Sequence, residues 1–147
     1  MPSAITRFGG DAFLGMLFGQ TVEVPGGFFV ALLTQAPGEQ TTGDMLSEPP
    51  DGVGYARAAI DNSPAVFGEA RGGFVATTTT IDFGVATGDW PVITHYALTD
   101  GSYTGGVYLY GSFTRPRRVQ AGERVTIPGG LLSLSIASLS TAVVGAF

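Results

Sequence analysis

The sequence predicts a mainly β fold: an antiparallel β-sandwich or barrel-like domain of about seven strands with one short N-terminal helix. Three observations lead there. Apolar runs of strand length alternate with Gly-, Asp- and Pro-bearing turns from Phe28 onward. The 23 glycines and 9 prolines are spread along the chain rather than gathered in one tract, which favours many tight turns over a disordered segment. Only one stretch, near the N-terminus, carries apolar residues at helical spacing. At 147 residues the chain forms one ordinary domain, long enough to bury about 70% of its unfolded surface without metals or disulfides.

The helix is expected over Asp11 to Phe18. Asp11 can cap it, and Phe13, Leu14, Leu17 and Phe18 form an apolar stripe. Gly15 and Gly19 weaken it, so packing must hold it. Phe28 to Thr34 (FFVALLT) suits a buried strand, ended by Ala36-Pro37-Gly38. Residues 35–54 lack periodicity and read as a long surface loop, a common interaction element. Tyr55 to Ile60 reads as a strand with Tyr55, Ala59 and Arg57 sharing a face. After an irregular stretch, Phe74 to Phe83 contains Thr77 to Thr80, whose β propensity is high and whose hydroxyls can line an exposed face. Val92 to Thr99 and Val107 to Phe113, joined by DGSYTGG, read as a hairpin. Glu123 to Ile127 and Leu131 to Ile136 flank a turn at Pro128-Gly129-Gly130. The domain is expected to span residues 1–136, with 137–147 as an apolar C-terminal extension.

Charged residues make up only 13% of the chain, about half the usual share, a hint that partners cover much of the surface. Lysine is absent and the formal charge is -5, which argues against nucleic-acid binding. No apolar run approaches the ~20 residues of a membrane span. The N-terminus lacks the pattern of a secretory signal, so synthesis and folding in a cytoplasm are expected.

Candidates for chemistry are few. Cysteine is absent, which excludes thiolate and disulfide chemistry. A Ser–His–Asp arrangement would have to use His95, the only histidine. It sits mid-strand and no G-x-S-x-G elbow exists, so a packed or hydrogen-bonded strand histidine is the plainer reading. Zinc usually wants several His or Cys ligands. Asp82, Asp89 and Asp100 could bind calcium only by meeting in space, and turn or cap roles suit them better. Gly26-Gly27 and Gly72-Gly73 fit no phosphate loop. No metal, cofactor or enzymatic activity is expected; a paired-carboxylate carbohydrate hydrolase stays open because any two acids could converge, but no pattern raises it above background.

Four of the seven cations, Arg115, Arg117, Arg118 and Arg124, fall within TRPRRVQAGER. This segment reads as a solvated turn, as a docking patch for acidic partners, or, least well, as a nucleic-acid patch. Trp90, just before Pro91, is either a core anchor or an interface hot spot. Arg115, Arg117, Arg118, Trp90 and His95 are the candidate partner-binding residues.

The order FFVALLTQAP, GYARAAI, IDFGVATGDWPVITHYALTD and GGVYLYGSFTRPRRVQAGERVTIPGGLLSLSI resembles a family of small tailed-bacteriophage virion proteins. Its members are labelled decoration, head-fibre, minor tail or tail-fibre proteins. The resemblance runs from about residue 9 to 136 and is most specific around Asp89-Trp90 and Thr94-His95. Such proteins end near the LSLSI strand, whereas this chain continues with ASLSTAVVGAF. The resemblance implies a structural, non-enzymatic virion subunit. The favoured form is a capsid decoration or cement protein, a homotrimer bound to the major capsid protein outside the shell. A tail or tail-fibre subunit supporting host attachment is the alternative, and contact with other decoration or tail proteins goes with either. Neither form implies a nucleic-acid or membrane partner.

Overall fold

Gly27–Leu33 (β2) is apolar at nearly every position because both of its faces are covered, as in the middle of a layered protein. The computed structural model describes residues 3–135. β2 lies between Trp90–Thr99 (β6) and Ala58–Asp61 (β3). Val107–Val119 (β7) and Ser3–Ile5 (β1) complete a five-stranded antiparallel sheet of order β1-β7-β6-β2-β3. Strand alternation sends Val30, Leu32, Tyr96 and Leu98 to one face and Ala31, Leu33 and Ala97 to the other.

The first face carries the main core. It packs on two smaller antiparallel pairs: Phe74–Ala76 (β4) with Ser133–Ser135 (β9), and Ile81–Val85 (β5) with Arg124–Ile127 (β8). Ile81, Phe83, Val125, Ile127 and Leu132 meet Val30, Leu32, Trp90, Ile93, Tyr96 and Val119 there. The Tyr96 ring crosses Gly111, where an added Cβ would stand 2.5 Å from its hydroxyl. The second face is smaller. Ala31, Leu33, Ala97 and Val107 pack with Leu46 and Tyr110, so part of the 35–54 loop lies on the sheet. The mainly β, antiparallel, sandwich-like prediction therefore holds.

Several expectations are corrected. Among the described residues nine strands form where about seven were expected. β1 is three residues long, too short to show a period. The expected strand 74–83 divides into β4 and β5. Thr77 is buried at the break, with its backbone bonded to Leu132 and Gly130, while Thr78 to Thr80 are exposed. Residues 128–130 do not close a hairpin. Gly129 lies against the Thr78 carbonyl, and the turn carries the chain from β8, paired with β5, to β9, paired with β4. β7 runs past Phe113 to Val119. Its register against β6 jumps between the His95–Ser112 and Ile93–Arg117 pairs, where Pro116 has no N–H to offer the ladder. The expected strand from Tyr55 begins only at Ala58.

The helix (α1) spans Arg7–Leu17 and starts four residues before the expected Asp11. Its cap is Thr6, whose hydroxyl accepts from Gly9 N at 3.1 Å and donates to the Val107 carbonyl. The stripe Phe13, Leu14, Leu17 and Phe18 does not face the core; these residues are 36% to 72% exposed. Gly9 and Gly15 are the buried positions, Gly9 pressed on the Tyr108 carbonyl and Gly15 on Val22. Close backbone approach requires glycine on the packed side, and this leaves the large side chains outside. The expectation that residues 137–147 pair with a sheet edge or a neighbour lies outside the described residues.

Candidate functional site

His95 is half-buried on the sheet's second face, beside Leu33 and Ser112 in register. Its Nδ1 lies 2.7 Å from the Thr94 hydroxyl, and burial lowers its pKa from the usual imidazole value. Among the described residues no group of three or more His, Asp or Glu side chains could hold a metal ion.

Trp90 is 2% exposed. Its indole N–H donates to Val53 O at 2.8 Å and its ring meets Tyr55 edge-on with centroids 5.3 Å apart. A side chain enclosed in this way fits the core-anchor reading of Trp90. Its neighbour Asp89 accepts from Ala121 N at 2.9 Å and fixes the turn after β7.

The GYAR block builds a polar lock. Gly54 has φ of +78° and approaches Thr87 so closely that a Cβ would lie 2.8 Å from its amide. Tyr55 Oη accepts from Leu32 N at 3.0 Å and donates to Glu48 Oε1 at 2.6 Å. Burial first, then the Glu48 charge, raises the Tyr55 pKa far above the usual phenol value. The Arg57 side chain is 2% exposed. It grips Glu48 through two bonds, Nε to Oε1 at 2.9 Å and Nη2 to Oε2 at 2.8 Å. It also donates to the carbonyls of Gly43, Gly101, Tyr103 and Thr104. A planar fork of five donors suits this task, and lysine could not copy it. One side chain thus ties the 35–54 loop and the β6–β7 turn to β3.

Asp100 holds the same turn from within, accepting from Gly106 N at 2.7 Å and from the Tyr108 hydroxyl at 3.2 Å. Burial, with Asp100 second, pushes the Tyr108 pKa up to about 12. The sequence placed Arg57 on a strand face and gave no role to Glu48. The signal for Arg57 was a lone cation in the otherwise uncharged segment 52–60; Glu48 is one of four acids in the 35–54 loop and nothing in the sequence singled it out.

The arginine cluster is an exposed strand end rather than a turn. Residues 114–118 are all exposed on the outer part of β7. Arg117 lies 3.7 Å from Glu123, and Arg124 pairs with Asp82. Among the described residues Arg115 and Arg118 have no ion-pair partner. Arg115 and Arg117 border a hollow of about 370 Å³ whose walls include Leu32, Ile93, Phe113, Val125 and Ile127. The structure therefore separates the candidates: three arginines outside, His95 half-buried, Trp90 enclosed.

The surface that sequence reasoning missed is the outer side of α1. Leu14, Met16, Leu17 and Phe18 are each more than half exposed, and Phe8 and Phe13 adjoin them. A helix apolar on nearly all sides is normally covered, and contiguous exposed apolar area marks interaction sites.

A family model described as Podophage GP4 fiber I protein gp80 matches residues 4–135. No curated protein matches the chain at a significant level. The matched span takes in all of the described fold but Ser3, including the Arg57 lock, the Trp90 anchor and the Asp100 turn. The chain belongs to this family of podophage fibre proteins and is a structural component of a tailed-phage virion.

Proposed function

We propose that the chain is a fibre-type structural subunit of the virion that works by assembly and not by catalysis. The observation that carries this reading is the fibre-family match over residues 4–135. Two features support it. The polar side chains with the richest bonding, Arg57, Glu48, Tyr55 and Asp100, are spent on fixing loops. The exposed groups are instead an apolar helix and an arginine row, the residue types enriched at protein interfaces. Subunits that join copies of themselves and neighbouring virion proteins, after synthesis in the host cytoplasm, gain hold through many simultaneous weak contacts.

The capsid-decoration reading, a homotrimer on the major capsid protein, would use the same surfaces. Gold-labelled antibody on intact virions, with quantitative gel analysis of copy number, separates the two. Label on fibres with few copies per particle supports the proposal. Label over the whole head, with a copy number matching the capsid lattice, overturns it in favour of decoration. Release of sugar from host surface polymer by the purified protein would overturn the non-catalytic part.

A further inference from the structure

Gly10 is a glycine that the described fold of one chain does not need. An added Cβ there meets nothing within 4 Å, and its φ is not positive. Glycine inside a helix is less stable than alanine and is of use where another group comes close to the backbone. Gly9 and Gly15 are the positions turned into the fold, against Tyr108 and Val22. At about 100° of rotation per residue, Gly10, Leu14 and Leu17 form a row on the opposite side. Phe13, Leu14, Met16, Leu17 and Phe18 are 36% to 72% exposed. Together they show about 550 Å² of apolar surface, at the upper end of what a typical monomer leaves bare. With the residues between them, this side approaches the share of each partner in a standard interface, about 800 Å².

The charge pattern says what fits there. The chain carries a net charge of -5, and the exposed arginine row of β7 would repel its own copy. The outer side of α1 differs. The charged residues of the helix, Arg7 and Asp11, are exposed, opposite in sign and four positions apart. Neither is in an ion pair among the described residues. The surface is therefore apolar with no net charge, as at the centre of an interface, and it can meet its own copy without repulsion. Such a surface closes about a two-fold axis. An axis at Ala12, the middle of Arg7–Leu17, sets position 10 of one helix opposite position 14 of the other. A leucine side chain then enters the space that glycine leaves open, and Leu17 lies over the aliphatic stem of the other copy's Arg7.

We propose that two copies of this chain pair through the outer sides of α1, antiparallel about a two-fold axis, with Leu14 of each copy seated over Gly10 of the other. This deepens the assembly reading by naming a second copy as the partner at α1. It stands or falls apart from the fibre assignment: label on the phage head would leave it intact, and a monomer in solution would remove it while leaving the fibre reading in place.

Sedimentation equilibrium of the purified full chain tests it. The expected mass is twice the 15.1 kDa of the chain, falling to one chain on dilution. Leu14→Arg and, separately, Leu17→Arg should weaken pairing at least tenfold with an unchanged circular dichroism spectrum, since both side chains are more than half exposed. Val85→Arg, at an exposed position on β5, should pair like the natural chain. Gly10→Ala gives a readout that a purely structural glycine would not: weaker pairing, together with a higher urea midpoint at dilutions where the chain is monomeric. A single-chain mass at all concentrations up to about 100 μM would overturn the proposal. A mass of three chains would overturn the two-fold pairing. Undiminished pairing in both arginine variants would place the interface elsewhere and overturn the assignment to α1.

Discussion

Replacing Arg57 with Met should cost this protein a large part of its stability. The guanidinium is 2% exposed and its partner Glu48 18% exposed, so water screens neither well. Methionine fills similar space but leaves the Glu48 carboxylate with only the Tyr55 hydroxyl and takes the guanidinium donors from the carbonyls of Gly43, Gly101, Tyr103 and Thr104. Removing one partner of a buried pair costs about 3–5 kcal/mol, against a total stability of about 5–15 kcal/mol for a domain. At this chain length each kcal/mol moves the midpoint by about 2–4 °C. The expected fall in Tm, read by circular dichroism or calorimetry, is therefore roughly 6–20 °C. Arg57→Lys should recover only part of it, because an ammonium cannot serve a carboxylate and several carbonyls in one plane. A fall below about 2 °C, the size expected of an exposed pair, would refute the reasoning. A double-mutant cycle with Glu48→Gln should show coupling between the two positions; strict additivity would show that the pair does not act as a unit.

Gly10→Ala and Gly9→Ala, neighbours on α1, should act in opposite directions when measured by urea unfolding. A Cβ on Gly10 meets nothing within 4 Å, so alanine should add about 0.5–1 kcal/mol; on Gly9 it would strike the Tyr108 carbonyl and cost about 1–3 kcal/mol. Alkaline pH should destabilise the fold. Burial pushes the Tyr96 pKa up to about 12 and raises those of Tyr108 and Tyr55 too. The unfolded chain then loses these protons near pH 10 while the folded chain keeps them, so stability is complete below about pH 10 and declines toward pH 12. Tyr96 alone accounts for roughly 2–3 kcal/mol over that interval. Tyr96→Phe should flatten the decline in a pH series of urea midpoints. The combined change Arg115→Ala, Arg117→Ala and Arg118→Ala should shift stability by no more than about 0.5 kcal/mol per site, because all three side chains are exposed, while lowering incorporation into virions; unchanged incorporation would remove them from the interface.

Much of this architecture is legible in the residues. The unbroken apolar run of β2 announces a strand covered on both faces, and the β6–β7 pair follows from two apolar runs joined by a glycine-rich turn. The resemblance around Asp89-Trp90 and Thr94-His95 pointed to a phage virion protein before any geometry was known. The site was less legible. Apolar spacing on α1 shows that a helix forms but not which side is covered. Here Gly9 lies on β7 and Gly15 on Val22, and the apolar stripe is outside.

The sequence by itself determined a β-rich, cysteine-free domain, because composition, turn residues and local period act over a few neighbouring positions, and the phage virion type came from the resemblance of its motifs to a family. Tertiary structure alone decided the use of particular side chains. Arg57, one of seven cations on paper, became a buried hub because contacts far apart in sequence, at Gly43, Glu48 and residues 101–104, close around it. Trp90 went inside, Arg115 and Arg118 stayed outside, and the turn at residues 128–130 joined two sheets rather than two strands of one. Each of these depends on non-local packing, which no period along the chain records.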